Sequence, residues 1–181
     1  MIFSCSRVCN VGQIANAAVR LATGGTGRVS VLGLISGGVG GLVAITPAAG
    51  YVNATGALFI GMGAAVVCYS GILLRKKFGF DDALGVWAVH GLGGTFGAIA
   101  TGLFATITVN AAGKDGLLYG GGTNLLVAQI ISVVVVWGFA FCITVIILKA
   151  LSMFMPLRMN KRKERIGADI IQHGESAYYL K

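Results

Sequence analysis

Charge, proline and histidine are all scarce in this chain. Only 6 of its 181 residues are acidic and 14 are basic, so 11% are charged. Soluble domains carry roughly 25% charged residues because they must cover a surface that faces water. An ordinary soluble domain is therefore excluded. Two prolines against 29 glycines rule out a proline-rich linker, and the glycines lie inside apolar runs rather than in a collagen-like or flexible repeat. Two histidines and four dispersed cysteines (Cys5, Cys9, Cys68 and Cys142) give no metal-ligand spacing and no disulfide framework. Met1-Ile2-Phe3 is too short for the apolar part of a signal peptide, and Arg7 interrupts it.

What remains is apolar. Hydrophobic residues make up 56% of the chain and the mean hydropathy is +0.84. Glycine is frequent in membrane helices because small residues let backbones approach closely. No charge falls between Val29 and Leu74. That stretch suits two spans, each needing about 20 residues to cross roughly 30 Å. Thr46-Pro47-Ala48-Ala49-Gly50 divides it, because proline disfavours helix before it and glycine permits a turn. The first span is expected at about 30–47 and the second at about 56–76. A third, about 83–105, follows Arg75-Lys76-Lys77 and opens with Asp81-Asp82; a fourth runs over about 124–155. The fourth is longer than a perpendicular crossing needs, which implies tilt or an extension past the membrane.

Small residues recur every four positions in these runs. Gly33, Gly37 and Gly41 form one row and Ser36, Gly40 and Ala44 another. Ala57, Gly61 and Ala65 follow in the second span, and Gly93 with Gly97, and Gly94, Ala98 and Gly102, in the third. Such rows suit close helix packing. Asn10 to Ala22 reads as one short helix, ended by Gly24-Gly25-Thr26-Gly27. That glycine cluster has no Lys-Ser/Thr after it and no strand before it, so it is not a phosphate loop.

The fold class expected is an all-α integral membrane protein with about four transmembrane helices. Its parts are an N-terminal segment 1–28, a membrane domain 29–156 and a basic tail 157–181. The net charge of +8 has its explanation in orientation. Arg7, Arg20, Arg28, Arg75, Lys76, Lys77 and the tail cluster fall on one side, and Lys114 alone on the other. Cytoplasmic loops carry the excess of lysine and arginine, so both termini are expected in the cytoplasm. Nucleic acid is not needed as a partner.

One ionisable side chain stands inside an apolar run. His90 lies in the third span, after Asp81 and Asp82 and about two helical turns deep. An intramembrane ionisable group marks a functional site by default, and imidazole titrates near neutral pH. Two readings stay open: a neutral imidazole lining a narrow path and handling a proton, or one that satisfies a neighbouring polar group and braces helices. Val86 and Trp87 share much of its face, with ordinary packing as the alternative for both. Asp81 or Asp82 is placed to cap the helix start and to oppose its dipole. No convergent polar set surrounds His90, so an enzyme is not expected. Gly91-Leu92-Gly93-Gly94 follows no strand and is not a dinucleotide fingerprint. No cofactor is implied.

Three motifs carry a resemblance. Ser36-Gly37-Gly38-Val39-Gly40-Gly41-Leu42-Val43 leading into Ile45-Thr46-Pro47-Ala48-Ala49-Gly50-Tyr51-Val52 resembles the eighth-helix signature of the ammonium transporter family (the Amt/Mep/Rhesus proteins). Asp81-Asp82-Ala83-Leu84 with Val89-His90-Gly91 and Gly93-Gly94 resembles its tenth helix, and Gly167, Asp169 and His173-Gly174-Glu175-Ser176-Ala177-Tyr178 its C-terminal motif. The resemblance covers about residue 28 to the end, in order.

It implies a partial ammonium-transporter fold, helices eight to eleven of eleven, in a multi-pass protein of the cell membrane. His90 matches the second of two pore histidines that handle ammonium and its proton, and Val86 an apolar pore-lining position. Asp81 and Asp82 match the acidic start of the tenth helix, while Thr46 and Pro47, inside the eighth-helix signature, are read as structural. The tail residues Gly167, Asp169, His173, Gly174, Glu175 and Tyr178 match a segment that communicates between subunits and with PII-type regulators. Ammonium or ammonia, the lipid bilayer and a homotrimer are the partners implied. The chain departs from the pattern at Gly85, where aspartate is common, at Pro156, where glycine is usual, and at Lys161-Arg162, where acidic residues are frequent. Residues 1–27 do not match a seventh helix, as though the reading frame opened inside a truncated gene. The function expected is ammonium transport with one of two pore histidines supplied here. The alternative is a non-transporting membrane subunit that packs through its small-residue rows and binds a transporter or lipid.

Overall fold

Thr46-Pro47 fixes the end of the first helix. In the computed structural model α1 spans Val31–Ile45, and a 3-10 turn, Thr46–Ala48, follows directly. Pro47 sits within the first two positions of that turn, where its missing N–H costs nothing. The Thr46 hydroxyl donates to the Leu42 carbonyl at 2.8 Å.

The structure describes residues 12–15, 17–18, 31–79, 81–82 and 84–175. Of the short helix expected over Asn10–Ala22, residues 12–15 and 17–18 are helical and the rest lies outside the described residues. The chain divides into two units, Met1–Val134 and Val135–Lys181.

Helix α2 spans Ala54–Phe78. Asn53 starts it by accepting from the Gly56 amide at 2.9 Å, and Gly79 ends it at φ +68°, the left-handed cap that glycine adopts without penalty. Arg75, Lys76 and Lys77 occupy its last turn, where cations suit the helix dipole. The third helical segment has two parts, a π-turn over Trp87–Leu92 and α3 over Gly93–Phe104. Helix α4 runs over Asn124–Ser152 and a short α5 over Lys161–Ile166, followed by a second π-turn at Asp169–His173. No named strand occurs among the described residues; Val52 and Ala105 form an isolated antiparallel bridge.

The first unit is built by close packing of small residues. Its core is Ala44, Ile45, Ala48, Val52, Ala57, Ile60, Ala64 and Ala100, with Phe96 and Phe104 packed against it. Gly33, Gly37, Gly40, Gly41, Gly61, Gly93 and Gly97 are buried with Ala44, Ala57 and Ala65. A β-carbon at Gly97 would run into the Ala44 carbonyl, so α1 and α3 touch backbone to backbone there. A β-carbon at Gly40 or at Gly93 would lie 3.0 Å from the Cys68 sulfur. Cys68, 1% exposed, therefore fills the place where α1, α2 and α3 meet.

Among the described residues two helices are long and apolar enough to cross a membrane, Ala54–Phe78 and Asn124–Ser152. Helix α1 is a shorter apolar helix, and the expected span 83–105 is realised as the π-turn plus α3. The structure corrects that span's start. Helix begins at Val86, not 83, and His90 lies in the first turn rather than two turns in. The cause is Gly85, which adopts φ +70° and breaks any helix running in from Asp81. Helix α4 ends at Ser152 rather than at 155.

Candidate functional site

The π-turn is set from both ends. Asp82 stands ahead of it and accepts from the Val86 amide through Oδ1 at 2.9 Å and from the Trp87 amide through Oδ2 at 3.0 Å. Helix N-termini leave such amides without intrahelical partners, so one carboxylate satisfies two of them and faces the positive end of the dipole. Asp81 is exposed and takes no part in this cap. At the other end the Gly93 amide closes onto the His90 carbonyl, and the chain continues as regular helix.

The inner side of the turn is held against α2. Ala88 and Val89 are buried. A β-carbon at Gly71 would lie 3.0 Å from the Ala88 β-carbon and 2.7 Å from Leu92. The Cys68 sulfur is 3.9 Å from the Val89 carbonyl. This contact fixes which side chains point away. His90 is exposed, Val86 is 51% exposed, and Trp87 is half-buried. His90 forms no side-chain hydrogen bond with any described residue.

A turn of π-helix inside an α-helical segment is rare and is found mostly at functional sites. Here it presents an imidazole, which holds both a donor and an acceptor nitrogen, on the flank of a membrane helix with an apolar neighbour. That arrangement can accept and return a proton, or hydrogen-bond a small polar solute. Among the described residues no group of three or more His, Cys, Asp or Glu is placed to hold a metal ion.

The tail residues singled out by their motif lie elsewhere, in the second unit. Gly167 (φ +110°) follows α5, Asp169 and His173 bound the second π-turn, and Gly174 (φ +68°) ends it. The Glu175 amide donates to the Asp169 carbonyl at 3.2 Å. Tyr178 lies outside the described residues. The sequence reading missed two residues that shape the site. Gly85 stands there only as a departure from aspartate, and Cys68 only as one of four dispersed cysteines. The signal for Gly85 was its position between two carboxylates and an apolar run; nothing in sequence marks Cys68 as the three-helix junction.

The family model of the Ammonium Transporter Family matches residues 9–178. The chain belongs to this family. It is 49% identical over 152 residues to the ammonium transporter of Bacillus subtilis, a match that covers 83% of this chain and 37% of that protein. It is 43% identical to ammonium transporter Amt1 of Archaeoglobus fulgidus, covering 84% of this chain and 38% of the relative. Among solved structures, that of Candida albicans Mep2 superposes with a TM-score of 0.79 at 30% identity, over 94% of this chain and 39% of Mep2. Saccharomyces cerevisiae Mep2 gives 0.78 at 28% identity. The chain spans a little over a third of the length of the relatives it matches. Like other members of the Ammonium Transporter Family, it is a multi-pass membrane protein.

Proposed function

We propose that this chain forms one part of a pore that moves ammonium or ammonia across the cell membrane. His90 is one of the two pore histidines, and Val86 and Trp87 line the path beside it. The observation that carries this reading is the π-turn. Its inner face is locked to α2 at Gly71 and Cys68, and its outer face offers His90 without a side-chain hydrogen-bond partner among the described residues. A buried polar group leaves no such bonding capacity unused in a finished membrane protein. A second histidine on helices outside this chain would meet that capacity, and family relatives more than twice as long have room for them.

In this reading the four apolar segments each cross the bilayer, with both termini in the cytoplasm. The lysine and arginine bias supports that orientation. The segment 29–156 acts as the membrane domain. The tail 157–181, with Gly167, Asp169, His173, Gly174, Glu175 and Tyr178, is the regulatory part, open to neighbouring subunits of a trimer and to a PII-type protein. Asp82 caps the histidine-bearing turn, Asp81 lends charge at its mouth, and Thr46 and Pro47 shape the end of α1.

Ammonium uptake in transport-deficient cells tests the proposal. The chain is produced alone and together with the first two-thirds of a relative. Uptake in the paired cells, with none from either part alone, is the expected result. Co-purification of the chain with a complete transporter, without uptake from any pairing, supports instead a non-transporting interaction subunit. That no residue along α4 is buried, so that the helix offers a long apolar face to a partner or to lipid, is what favours that second reading.

A further inference from the structure

A π-turn carries one residue more than the α-helical turn it replaces. Residues ahead of it are therefore set about 100° further round the axis, one residue's share at about 3.6 per turn. That offset builds up between Trp87 and Leu92, and His90 stands inside this stretch. The same residues wound as α-helix would turn the imidazole by roughly half of it, away from its exposed direction. The register of the turn and the aim of His90 are thus one choice.

The turn's own residues do not make that choice. Ala88 and Leu92 are among the best α-helix formers, so the wide register is imposed from outside. Both flanks of the turn are pinned. Asp82 holds the Val86 and Trp87 amides, and α3 is pressed on the Ala44 backbone at Gly97.

Between these pins the turn meets α2 at Gly71. A β-carbon there would lie 3.0 Å from the Ala88 β-carbon, 3.2 Å from its α-carbon and 2.7 Å from Cδ1 of Leu92. The leucine end can change rotamer. The α-carbon belongs to the turn's backbone, so an added methyl displaces the turn itself. Ala88, 0% exposed, is seated on the bare glycine at a depth that no larger residue at position 71 permits. One turn of α2 earlier, the Cys68 thiol, a weak donor, lies 3.9 Å from the Val89 carbonyl and steadies the same stretch of backbone.

We propose that Gly71 is a positioning residue for His90. By seating Ala88 it holds the turn in the wide register, and the wide register aims the imidazole outward. Gly71 acts through the backbone of Ala88 and not on the solute. The effect on transport rests on the pore role of His90, whereas the effect on the direction of His90 does not.

Diethyl pyrocarbonate modification of the full chain in detergent, located by peptide mass, reads that direction, with the exposed His173 as internal reference. Ammonium uptake by the chain paired with the first two-thirds of a relative reads the consequence. Gly71→Ala is expected to slow modification of His90 about threefold, as a turn of roughly 50° takes an exposed side chain toward the bundle. Maximal uptake falls about tenfold with KM unchanged, since misplacing a reacting group by about 1 Å can cost about a hundredfold. Adding Ala88→Gly makes room for the new methyl and restores both readings. Ala88→Gly alone leaves the seat loose and also slows modification, which carries the test if Gly71→Ala loses helicity by circular dichroism. Gly97→Ala, strained against Ala44, lowers the thermal midpoint but not the reactivity of His90. Unchanged His90 reactivity in folded Gly71→Ala, or in Ala88→Gly where the former does not fold, overturns the positioning role. So does an equal fall in Gly97→Ala, or a loss that the double variant does not restore. Slowed modification with uptake indifferent to Gly71→Ala and His90→Ala alike upholds the positioning and overturns the pore role of His90 instead.

Discussion

Asp82 and Trp87 are joined by a hydrogen bond of 3.0 Å from the indole residue's backbone amide to carboxylate Oδ2, while Oδ1 holds Val86 at 2.9 Å. This one carboxylate organises the turn that presents His90. With Gly85 at φ +70° between them, the chain makes a sharp entry and then starts a wide helical turn at once. The imidazole lies three residues beyond Trp87, so its direction follows from the turn that this cap starts.

Asp82→Ala removes both acceptors and leaves two amides at the helix start unpaired. The expected loss is about 1 kcal/mol, read as a lower thermal midpoint in detergent. Asp82→Asn keeps one acceptor and loses less. Asp81→Ala, at an exposed position outside the cap, leaves the midpoint unchanged.

Gly97 and Gly94 share one helix but differ in what an added methyl meets. At Gly97 it strikes the Ala44 backbone, and at Gly94 its nearest neighbour is a Val43 methyl at 3.9 Å. Gly97→Ala is expected to destabilise by about 1–3 kcal/mol through overpacking. Gly94→Ala should leave stability unchanged or raise it slightly, since alanine is the better helix former. Thermal melting of the two single variants checks the contrast.

Asn53 joins the start of α2 to the loop. It accepts from Gly56 at 2.9 Å and donates through Nδ2 to the Tyr119 hydroxyl at 2.6 Å. Tyr119→Phe is expected to cost about 1 kcal/mol, and Asn53→Ala about 2 kcal/mol because the cap is lost as well. In the double variant the losses should not add, and the shortfall measures the Asn53–Tyr119 bond.

Much of the helical plan was readable in the residues. The proline after Thr46, the basic cluster at 75–77 and the glycine rows set the ends of α1 and α2 and their contact faces, because these are local effects. The start of the third helix was not readable. Two aspartates ahead of an apolar run read as a cap at the run's first residue, yet Gly85 moves helix entry to Val86 and the π-turn widens the path to His90. Neither choice follows from periodicity; both depend on α2 offering Gly71 and Cys68 as a floor. The bridge between Val52 and Ala105 is likewise a tertiary event, joining the stretch after Pro47 to the end of the third segment.

The central claim is that the His90 side chain lies on the transport path. Ammonium uptake by the His90→Ala chain paired with the first two-thirds of a relative tests it most directly. The account predicts a fall of roughly a hundredfold, the low end of what a positioned proton-transfer group contributes, with membrane insertion and helicity unchanged. Uptake equal to that of the unaltered pair would contradict it.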